Sequence, residues 1–299
     1  MNVRIVEVGP RDGLQNESRP ISTDAKVAFI DALSEAGYEE IEATAFVSPD
    51  RIPQLADAEE VLRRIRRREG VVYSALVPNE RGLDRALEAR AGKIAVFTAA
   101  SETFNRKNIN ATIAESIDRF RPVVARAREI HLPVRGYVST AFWCPYEGKI
   151  EPAAVAPVAQ ALLDLGVEEI SIGDTIGKAV PDEVHALLDV LLDVAPQDAL
   201  AMHFHDTYGT AVANALAAWE RGITTFDASA GGVGGCPYAP GAAGNVATED
   251  LLWALTRSGA SSSLDPSKLQ LASDVLASAL GRPLRSRVRE ARKGSAPGP

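Results

Sequence analysis

The chain has 299 residues, of which 46% are hydrophobic and 24% charged, so it can bury a large core and has the composition of a globular protein. Its formal charge of −8 argues against nucleic-acid binding, and its two cysteines argue against a disulfide framework. No apolar run is long enough to cross a membrane. Because a strand-like run begins at Val3 and leaves no room for a targeting peptide, we expect a cytoplasmic protein.

Strand-like and helix-like runs alternate almost from end to end of the chain. Eight such units in series favour a closed parallel (β/α)8 TIM barrel, an α/β fold, over an open doubly wound sheet, whose Gly-rich fingerprint is missing after the first strand. The predicted strands are Val3–Val8, Glu40–Phe46, Val71–Val77, Lys93–Thr98, Val134–Thr140, Glu169–Ile172, Ala199–Phe204 and Thr224–Ser229. Helices are predicted near Thr23–Ala36, Asp57–Arg68, Arg81–Arg90, Thr112–Ile130, Pro152–Leu165, Pro181–Val194, Thr210–Arg221 and Thr248–Thr256.

The end of the chain departs from this repeat. A helix near Ser267–Leu280 forms no further strand–helix unit, so we expect an extra C-terminal helix. The run that follows is basic and then rich in Gly and Pro. We therefore predict a single catalytic TIM-barrel domain over residues 1–284 and a flexible tail over residues 285–299.

Polar side chains follow or end nearly every predicted strand. In a barrel, catalytic groups collect at the carboxyl ends of the strands. We therefore expect these side chains to share one rim, together with the Gly-rich loop that leads to Cys236. The polar residues at these positions are Arg11, Asp12, Gln15, Asn16, Glu42, Thr44, Ser101, Glu102, Asn105, Tyr137, Ser139, Thr140, Asp174, Thr175, His203, His205, Asp206 and Asn245.

The pair His203 and His205 predicts half of a metal site. Alternate residues of a strand point to the same face, so both imidazoles lie side by side. The other two histidines are predicted to lie in a helix and at the opposite end of the barrel. The remaining ligands should therefore be oxygens, with Asp12 the best carboxylate and Asn245 a possible amide. Such a mixed set favours Mg²⁺ or Mn²⁺ over Co²⁺ or Zn²⁺.

Seven segments of the sequence carry a further signal, namely Val8–Glu17, Ile41–Pro49, Val134–Ser139, Cys144–Lys149, Gly173–Gly177, His203–Gly209 and Gly234–Asn245. Together they resemble hydroxymethylglutaryl-CoA lyase, a family within a superfamily of metal-dependent aldolase-like and Claisen-type barrels. The similarity extends from about Val3 to Leu280.

The resemblance implies that 3-hydroxy-3-methylglutaryl-CoA is cleaved to acetyl-CoA and acetoacetate, a step of leucine breakdown. It implies that Asp12, His203, His205 and Asn245 bind a divalent metal, Mg²⁺ or Mn²⁺, which activates the tertiary alcohol. A general base must remove the alcohol proton. Asp12 and His203 both remain candidates for that role.

The other roles implied by the resemblance concern the departing enolate and the substrate. Arg11 would stabilise the enolate, and Cys236 would donate a proton to it from a mobile loop. Glu42 is a further catalytic candidate and, with Asp174, would orient the groups that touch the metal. The substrate-binding residues that we expect are Arg11, Gln15, Tyr137 and Thr175.

Two alternatives to this lyase remain open from the sequence. A sister lyase would act on a longer 3-hydroxy-3-alkylglutaryl-CoA, as in isoprenoid breakdown, and the bulky pair Phe142–Trp143 could alter chain-length preference if it touched the acyl group. A condensing synthase or 2-keto acid aldolase would belong to the same superfamily, but such synthases usually carry a further C-terminal domain. In each case we expect a small-molecule substrate, an acyl-CoA for the lyases, no nucleic-acid or membrane partner, and a homodimer.

Overall fold

A computed structural model of the chain describes residues 1–235 and 244–294. In this part of the chain ten strands form, and eight of them close a barrel. The barrel strands are β1 (Arg4–Glu7), β2 (Glu40–Ala45), β3 (Val72–Leu76), β4 (Lys93–Ala99), β5 (Val134–Ser139), β8 (Glu169–Asp174), β9 (Leu200–Phe204) and β10 (Thr225–Ala228). The other two, β6 (Trp143–Cys144) and β7 (Gly148–Lys149), form a small antiparallel pair.

All neighbouring barrel strands run parallel, in the order β1-β10-β9-β8-β5-β4-β3-β2. Closure occurs at β1, where Val6 pairs with Glu40 on one side and with Asp227 on the other. Because no strand edge is left open, the backbone hydrogen bonds continue around the ring. The predicted TIM barrel is confirmed.

Helices surround the barrel and cover its apolar outer face. Strand residues such as Ile41 and Ile170 share one buried apolar cluster with helix residues such as Phe29 and Leu187. None of the described helices is long and apolar enough to cross a membrane. The helices are α1 (Thr23–Glu35), α2 (Ala58–Arg64), α3 (Glu80–Glu88), α4 (Glu102–Ile109), α5 (Ile113–Glu129), α6 (Pro152–Leu165), α7 (Pro181–Leu191), α8 (Ala211–Glu220), α9 (Thr248–Arg257), α10 (Pro266–Leu280) and α11 (Arg287–Gly294).

The amino-terminal end of the barrel interior is filled by paired charges. Lys93 Nζ lies 2.8 Å from Glu40 Oε2 and 3.2 Å from Glu169 Oε1, and Arg4 contacts both of these carboxylates. These four residues are the first residues of their strands. Buried charges are tolerated there because each cation faces carboxylates. The open part of the interior therefore lies toward the carboxyl ends of the strands.

The structure differs from the sequence prediction in some connections and at the end of the chain. Helix α4 and the β6–β7 pair form in segments where no element was predicted. The predicted extra C-terminal helix forms as α10 and packs against α1. Residues 287–294, predicted as part of a flexible tail, form α11, because the side chain of Asp250 accepts hydrogen bonds from Ser286 Oγ and from the N–H groups of Arg287 and Val288. Residues 295–299 of that predicted tail lie outside the described residues.

Candidate active site

The candidate metal centre lies at the carboxyl ends of β1 and β9. His203 is near the end of β9, His205 directly follows this strand, and Asp12 lies shortly after β1. One ligand atom from each of the three side chains lies within 4.8 Å of the others. Strand alternation brings the two imidazoles together, and barrel closure adds a carboxylate from the other end of the sequence.

A π-helical turn, Gly9–Gly13, carries Asp12 to this centre. The carbonyl of Val8 accepts hydrogen bonds from the N–H groups of Asp12 at 2.7 Å and Gly13 at 3.3 Å. Gly13 permits close packing, since a Cβ there would lie 2.6 Å from Val233 Cγ1 and 2.9 Å from the Val233 carbonyl oxygen. The wide turn therefore presses against the Gly-rich segment after β10, and such turns are frequent at functional sites.

Asn245 reaches the same point from the segment that follows residues 236–243. The N–H of Val246 donates to the carbonyl of Phe204 at 3.1 Å, which ties this segment to the end of β9. The Asn245 amide nitrogen then donates to Asp12 Oδ2 at 2.9 Å and to the Val233 carbonyl at 3.2 Å. Because the nitrogen is engaged in these bonds, the amide oxygen is the atom left to bind a metal.

The two imidazoles have different surroundings. Their ring centroids lie 5.1 Å apart. His203 Nδ1 lies 3.2 Å from Asp227 Oδ2, whereas His205 Nδ1 is buried without a hydrogen-bond partner among the described residues. A buried polar atom without a partner is costly, and its presence beside a carboxylate fits a site that binds a cation. Two nitrogens with oxygens from Asp12 and Asn245 form a donor set suited to a divalent metal.

The neighbouring charges keep two of these donors in the form that a metal requires. Burial alone would raise the pKa of Asp12, but the charges of Arg11 and His203 lower it below its ordinary value. Burial, and then the neighbouring His203, lower the pKa of His205 to about 4. At neutral pH, Asp12 is therefore a carboxylate and His205 a neutral imidazole, as metal binding requires.

Arg11 is held beside the metal centre by two carboxylates. Its Nε donates to Glu42 Oε2 at 2.7 Å, and its Nη1 donates to Asp12 Oδ1 at 2.7 Å. The Tyr137 hydroxyl donates to the same Glu42 oxygen at 3.1 Å, and the Arg11 guanidinium lies 5.2 Å from the centre of the Tyr137 ring. Burial acts to lower the pKa of Arg11, but the two carboxylates raise it above its ordinary value. The site therefore holds a fixed cation beside the candidate metal ligands.

A cavity of about 340 Å³ opens next to these groups. Part of its wall is apolar, formed by side chains from β3, β4, β5, α4 and the loop after β2, so it can accept a substrate with both carbon-rich and charged parts. The predicted site residues on its wall are Arg11, Asp12, Gln15, Tyr137, Thr175, His203 and His205, and the apolar residues are Val47, Ile52, Leu76, Phe97, Phe104 and Val138.

The remaining predicted substrate contacts lie on the cavity wall with defined partners. Gln15 Nε2 donates to Asp12 Oδ1 at 3.1 Å. Thr175 Oγ1 accepts a hydrogen bond from the N–H of Thr140 at 2.7 Å. Thr140 is a buried β-branched residue with a φ of 53°, an uncommon conformation for such a side chain. The bond to Thr175 thus holds a strained turn at the rim.

Asp174 lies behind the cavity rather than on its wall. Its two carboxylate oxygens accept hydrogen bonds from the N–H groups of Lys178 at 3.0 Å and Ala179 at 2.9 Å. Burial raises the pKa of Asp174 to about 6, although these hydrogen bonds oppose the change. Its direct contacts shape the turn after β8.

The Phe142–Trp143 pair lies away from the described cavity. Phe142 is buried and packs against Phe204, and Trp143 Nε1 donates to Glu183 Oε2 at 3.1 Å. Neither side chain lines the described cavity, so this pair gives no support to an altered chain-length preference. Cys236, the predicted proton donor, lies outside the described residues.

Asp227 is a site residue that the sequence analysis missed. Its carboxylate accepts hydrogen bonds from Arg135 Nη2 at 2.6 Å and Ser171 Oγ at 2.7 Å, and it faces His203. Burial alone would raise the pKa of Asp227, but the charge of Arg135 lowers it. The available signal was the single acid of the predicted strand Thr224–Ser229, since a charged residue buried in a barrel strand needs a partner.

Three comparisons with known proteins agree with this fold and site. Residues 2–276 match the family model described as HMGL-like. The chain is 50% identical over 286 residues to a hydroxymethylglutaryl-CoA lyase of Pseudomonas mevalonii, covering 96% of this chain and 95% of that protein. It is 50% identical over 289 residues to the mitochondrial hydroxymethylglutaryl-CoA lyase of Rattus norvegicus, covering 97% of this chain and 89% of that protein. The crystal structure of the hydroxymethylglutaryl-CoA lyase from Pseudomonas aeruginosa superimposes with a TM-score of 0.97 at 46% identity, and the match covers 99% of this chain and 98% of that one.

A closed parallel barrel with a candidate metal centre at its carboxyl rim defines a class of metal-dependent barrel enzymes. Within that class, this chain belongs to the HMGL-like family. The resemblance to hydroxymethylglutaryl-CoA lyase that the motifs predicted is thereby confirmed.

Proposed function

We propose that this protein cleaves 3-hydroxy-3-methylglutaryl-CoA to acetyl-CoA and acetoacetate with the help of a divalent metal. The observation that carries the proposal is the group of Asp12, His203 and His205 beside the Arg11 guanidinium, on the wall of one cavity. Relatives that share about half of the sequence over nearly the whole chain are lyases for this substrate. These relatives support the main prediction and not the lyase for a longer acyl chain.

The first step is removal of the proton from the tertiary hydroxyl group of the substrate. A bound divalent cation would supply Lewis-acid chemistry that makes this hydroxyl more acidic. Asp12 lines the cavity with a carboxylate that can take the proton, and His203 can take it through Nε2 when that nitrogen does not bind the metal, so both remain candidates for the general base. The electrons of the O–H bond then form the ketone of acetoacetate, while the adjacent C–C bond breaks.

The electrons of the broken C–C bond pass to the thioester fragment as an enolate. Arg11 lies on the cavity wall, and its charge is fixed by Glu42 and Asp12. A guanidinium that is already in place stabilises the developing charge without reorganisation. Protonation of the enolate carbon gives acetyl-CoA, and we assign this proton to Cys236 from the family motif in the sequence.

The proposed metal ligands are Asp12, His203, His205 and the amide oxygen of Asn245. Oxygen donors together with two imidazoles leave Mg²⁺ and Mn²⁺ as the proposed ions. Glu42 supports the proposal by holding Arg11, and Gln15 by its hydrogen bond to Asp12.

The proposal has further parts that rest on the family and on the sequence. We propose a role in leucine breakdown, a cytoplasmic location and a homodimer. Sedimentation velocity at several protein concentrations would test the dimer, and a single monomer mass throughout would contradict it.

The test of the function is a metal-dependent cleavage assay. Metal-stripped protein, with and without Mg²⁺ or Mn²⁺, is given 3-hydroxy-3-methylglutaryl-CoA and a longer-chain analogue, and both products are quantified. We expect metal-dependent acetoacetate formation with preference for the methyl substrate, and a loss of about 10²- to 10³-fold in kcat for Arg11→Met. His185→Gln, which changes a histidine of α7 away from the site, is the matched control and should retain activity. Preference for the longer analogue, or no cleavage of either compound with metal bound, would contradict the proposal.

A further inference from the structure

The inference concerns Asp227, a residue that the proposed mechanism does not use. It lies on β10 directly opposite His203 of the neighbouring strand β9, in register with it. The two side chains meet inside the barrel, where Asp227 Oδ2 lies 3.2 Å from His203 Nδ1. Asp227 is only 2% exposed, so no solvent competes for this contact.

Asp227 is itself held in one orientation by two donors from other strands. Arg135 Nη2 on β5 donates to its Oδ1 at 2.6 Å, and Ser171 Oγ on β8 donates to its Oδ2 at 2.7 Å. Arg135 and Ser171 are also buried. The carboxylate therefore presents a fixed acceptor to the imidazole, because rotation would break both of these bonds.

We propose that Asp227 is a positioning residue that keeps the proton of neutral His203 on Nδ1 and so presents Nε2 to the metal. A fixed hydrogen-bond acceptor at one ring nitrogen decides which tautomer forms and how the ring is turned. This inference rests on the metal site of the proposed function, but it concerns the protein before any metal binds.

His205 provides an internal contrast. Its Nδ1 is buried and lacks a hydrogen-bond partner among the described residues, so none of them fixes its tautomer through that nitrogen. The two candidate ligands should therefore differ in the metal-free protein. Asp227 selects the tautomer of His203, whereas we expect His205 to exchange between its two tautomers until a ligand binds.

The direct test reads the tautomers in the metal-free wild-type protein. The chain has four histidines, so long-range ¹H–¹⁵N spectra of histidine-labelled protein resolve few rings, and His203→Gln and His205→Gln assign the two of interest. At about pH 9, where histidine is ordinarily neutral, we expect the Nδ1–H form for His203 and an averaged signal for His205. An Nε2–H form of His203 would overturn the inference.

A second test measures Mn²⁺ affinity by calorimetry, without substrate. Asp227→Asn can turn an N–H group toward the ring and favour the other tautomer, so we expect the Kd for Mn²⁺ to rise by about 10- to 100-fold in the folded variant. Ser171→Ala removes one donor to the same carboxylate but keeps the contact with His203, and should raise the Kd by less. A folded Asp227→Asn protein with unchanged Mn²⁺ affinity would contradict the inference. If that variant does not fold, the wild-type tautomer decides, and neither measurement depends on which substrate is cleaved.

Discussion

Glu42 Oε2 accepts hydrogen bonds from Arg11 Nε at 2.7 Å and from the Tyr137 hydroxyl at 3.1 Å. Glu42 is 1% exposed, so its charge is not screened by water at this point of the barrel. Glu42 therefore fixes the guanidinium of Arg11, which lies on the cavity wall. A cation stabilises a transition state most when it is in position before the reaction begins.

We therefore predict that Glu42→Gln lowers kcat by about 10²-fold and changes KM less, because the interaction lost is one made mainly in the transition state. Steady-state kinetics with saturating metal would measure this. Tyr137→Phe is the matched control: it removes the second donor to Glu42 while keeping the charge that holds Arg11, and its loss of kcat should be smaller. An unchanged kcat in Glu42→Gln would show that Arg11 needs no such support.

Arg51 provides a cation at the mouth of the cavity. Its side chain is exposed, lines the cavity and makes no ion pair with a described residue. An acyl-CoA carries phosphate groups outside the reacting carbon atoms, so an unpaired guanidinium there fits the anionic part of the substrate.

We predict that Arg51→Met raises KM for the acyl-CoA by about two- to fivefold, the size of an exposed ion pair, and leaves kcat unchanged. The difference from wild type should shrink in high salt, because screening weakens exposed charges. Arg63→Met, an exposed arginine on α2 outside the cavity, should leave KM at the wild-type value. A fall in kcat for Arg51→Met would contradict a role restricted to binding.

Glu7 makes the stability of the protein dependent on pH. Its carboxyl group is buried and accepts hydrogen bonds from the N–H groups of Gly9 at 2.9 Å and Ala230 at 3.0 Å. Burial raises its pKa to about 7, although these hydrogen bonds act in the opposite direction. The folded protein therefore holds this proton more tightly than the unfolded chain, whose glutamate pKa is about 4.3.

The stabilisation from protonated Glu7 is present below the unfolded pKa and is lost as the pH rises through about 7. Between about pH 5 and about pH 8, we expect the unfolding free energy of wild type to fall by ~3 kcal/mol more than that of Glu7→Gln, which carries no ionisable group there. Urea unfolding at both pH values would measure the difference. Glu220→Gln, at an exposed position, is the control and should behave like wild type. Equal pH dependence in wild type and Glu7→Gln would refute the assignment.

Asp250 fixes the start of α11. Its carboxylate accepts hydrogen bonds from the Ser286 hydroxyl at 2.8 Å and from the N–H groups of Arg287 at 3.0 Å and Val288 at 2.8 Å. These bonds satisfy N–H groups at the helix start, as a capping residue does.

We predict that Asp250→Ala lowers the unfolding free energy by about 1–2 kcal/mol and speeds amide hydrogen exchange in residues 287–294. Ser286→Ala removes one of the three donors and also the hydroxyl that accepts from the Arg289 N–H at 3.1 Å, so it should increase exchange in the same residues. Exchange measured by mass spectrometry would locate the change, and an increase spread evenly over the barrel strands would contradict a local role.

The sequence was most informative where a local pattern has one structural outcome. The repeat of apolar runs and helices predicted the barrel, because parallel strands covered on the outside by helices are built from short apolar segments. The alternation in His203 and His205 predicted their common face, since a strand repeats every two residues. Asp12 was predicted as their partner because the carboxyl ends of barrel strands form one rim.

The sequence was least informative where a partner comes from a distant strand or from a short connection. Helix α4 and the β6–β7 pair carry weak periodic signals, and α11 depends on Asp250, which lies far from it in the chain. In the sequence, Asp227 is a single acid in a strand-like run, and its contact with His203 exists only because β9 and β10 pair in this register.

The sequence by itself determined the fold class, the rim residues and the resemblance to a lyase family, because periodicity and short motifs are properties of neighbouring residues. Only the tertiary structure decided which atoms meet. Barrel closure sets the strand register, and the register puts Asp227 against His203, Glu42 against Arg11, and Arg135 between Asp227 and Tyr137. A hydrogen bond forms only when the donor–acceptor distance lies within a few tenths of an ångström of about 2.9 Å. Such distances are fixed by packing across the barrel and not by spacing along the chain.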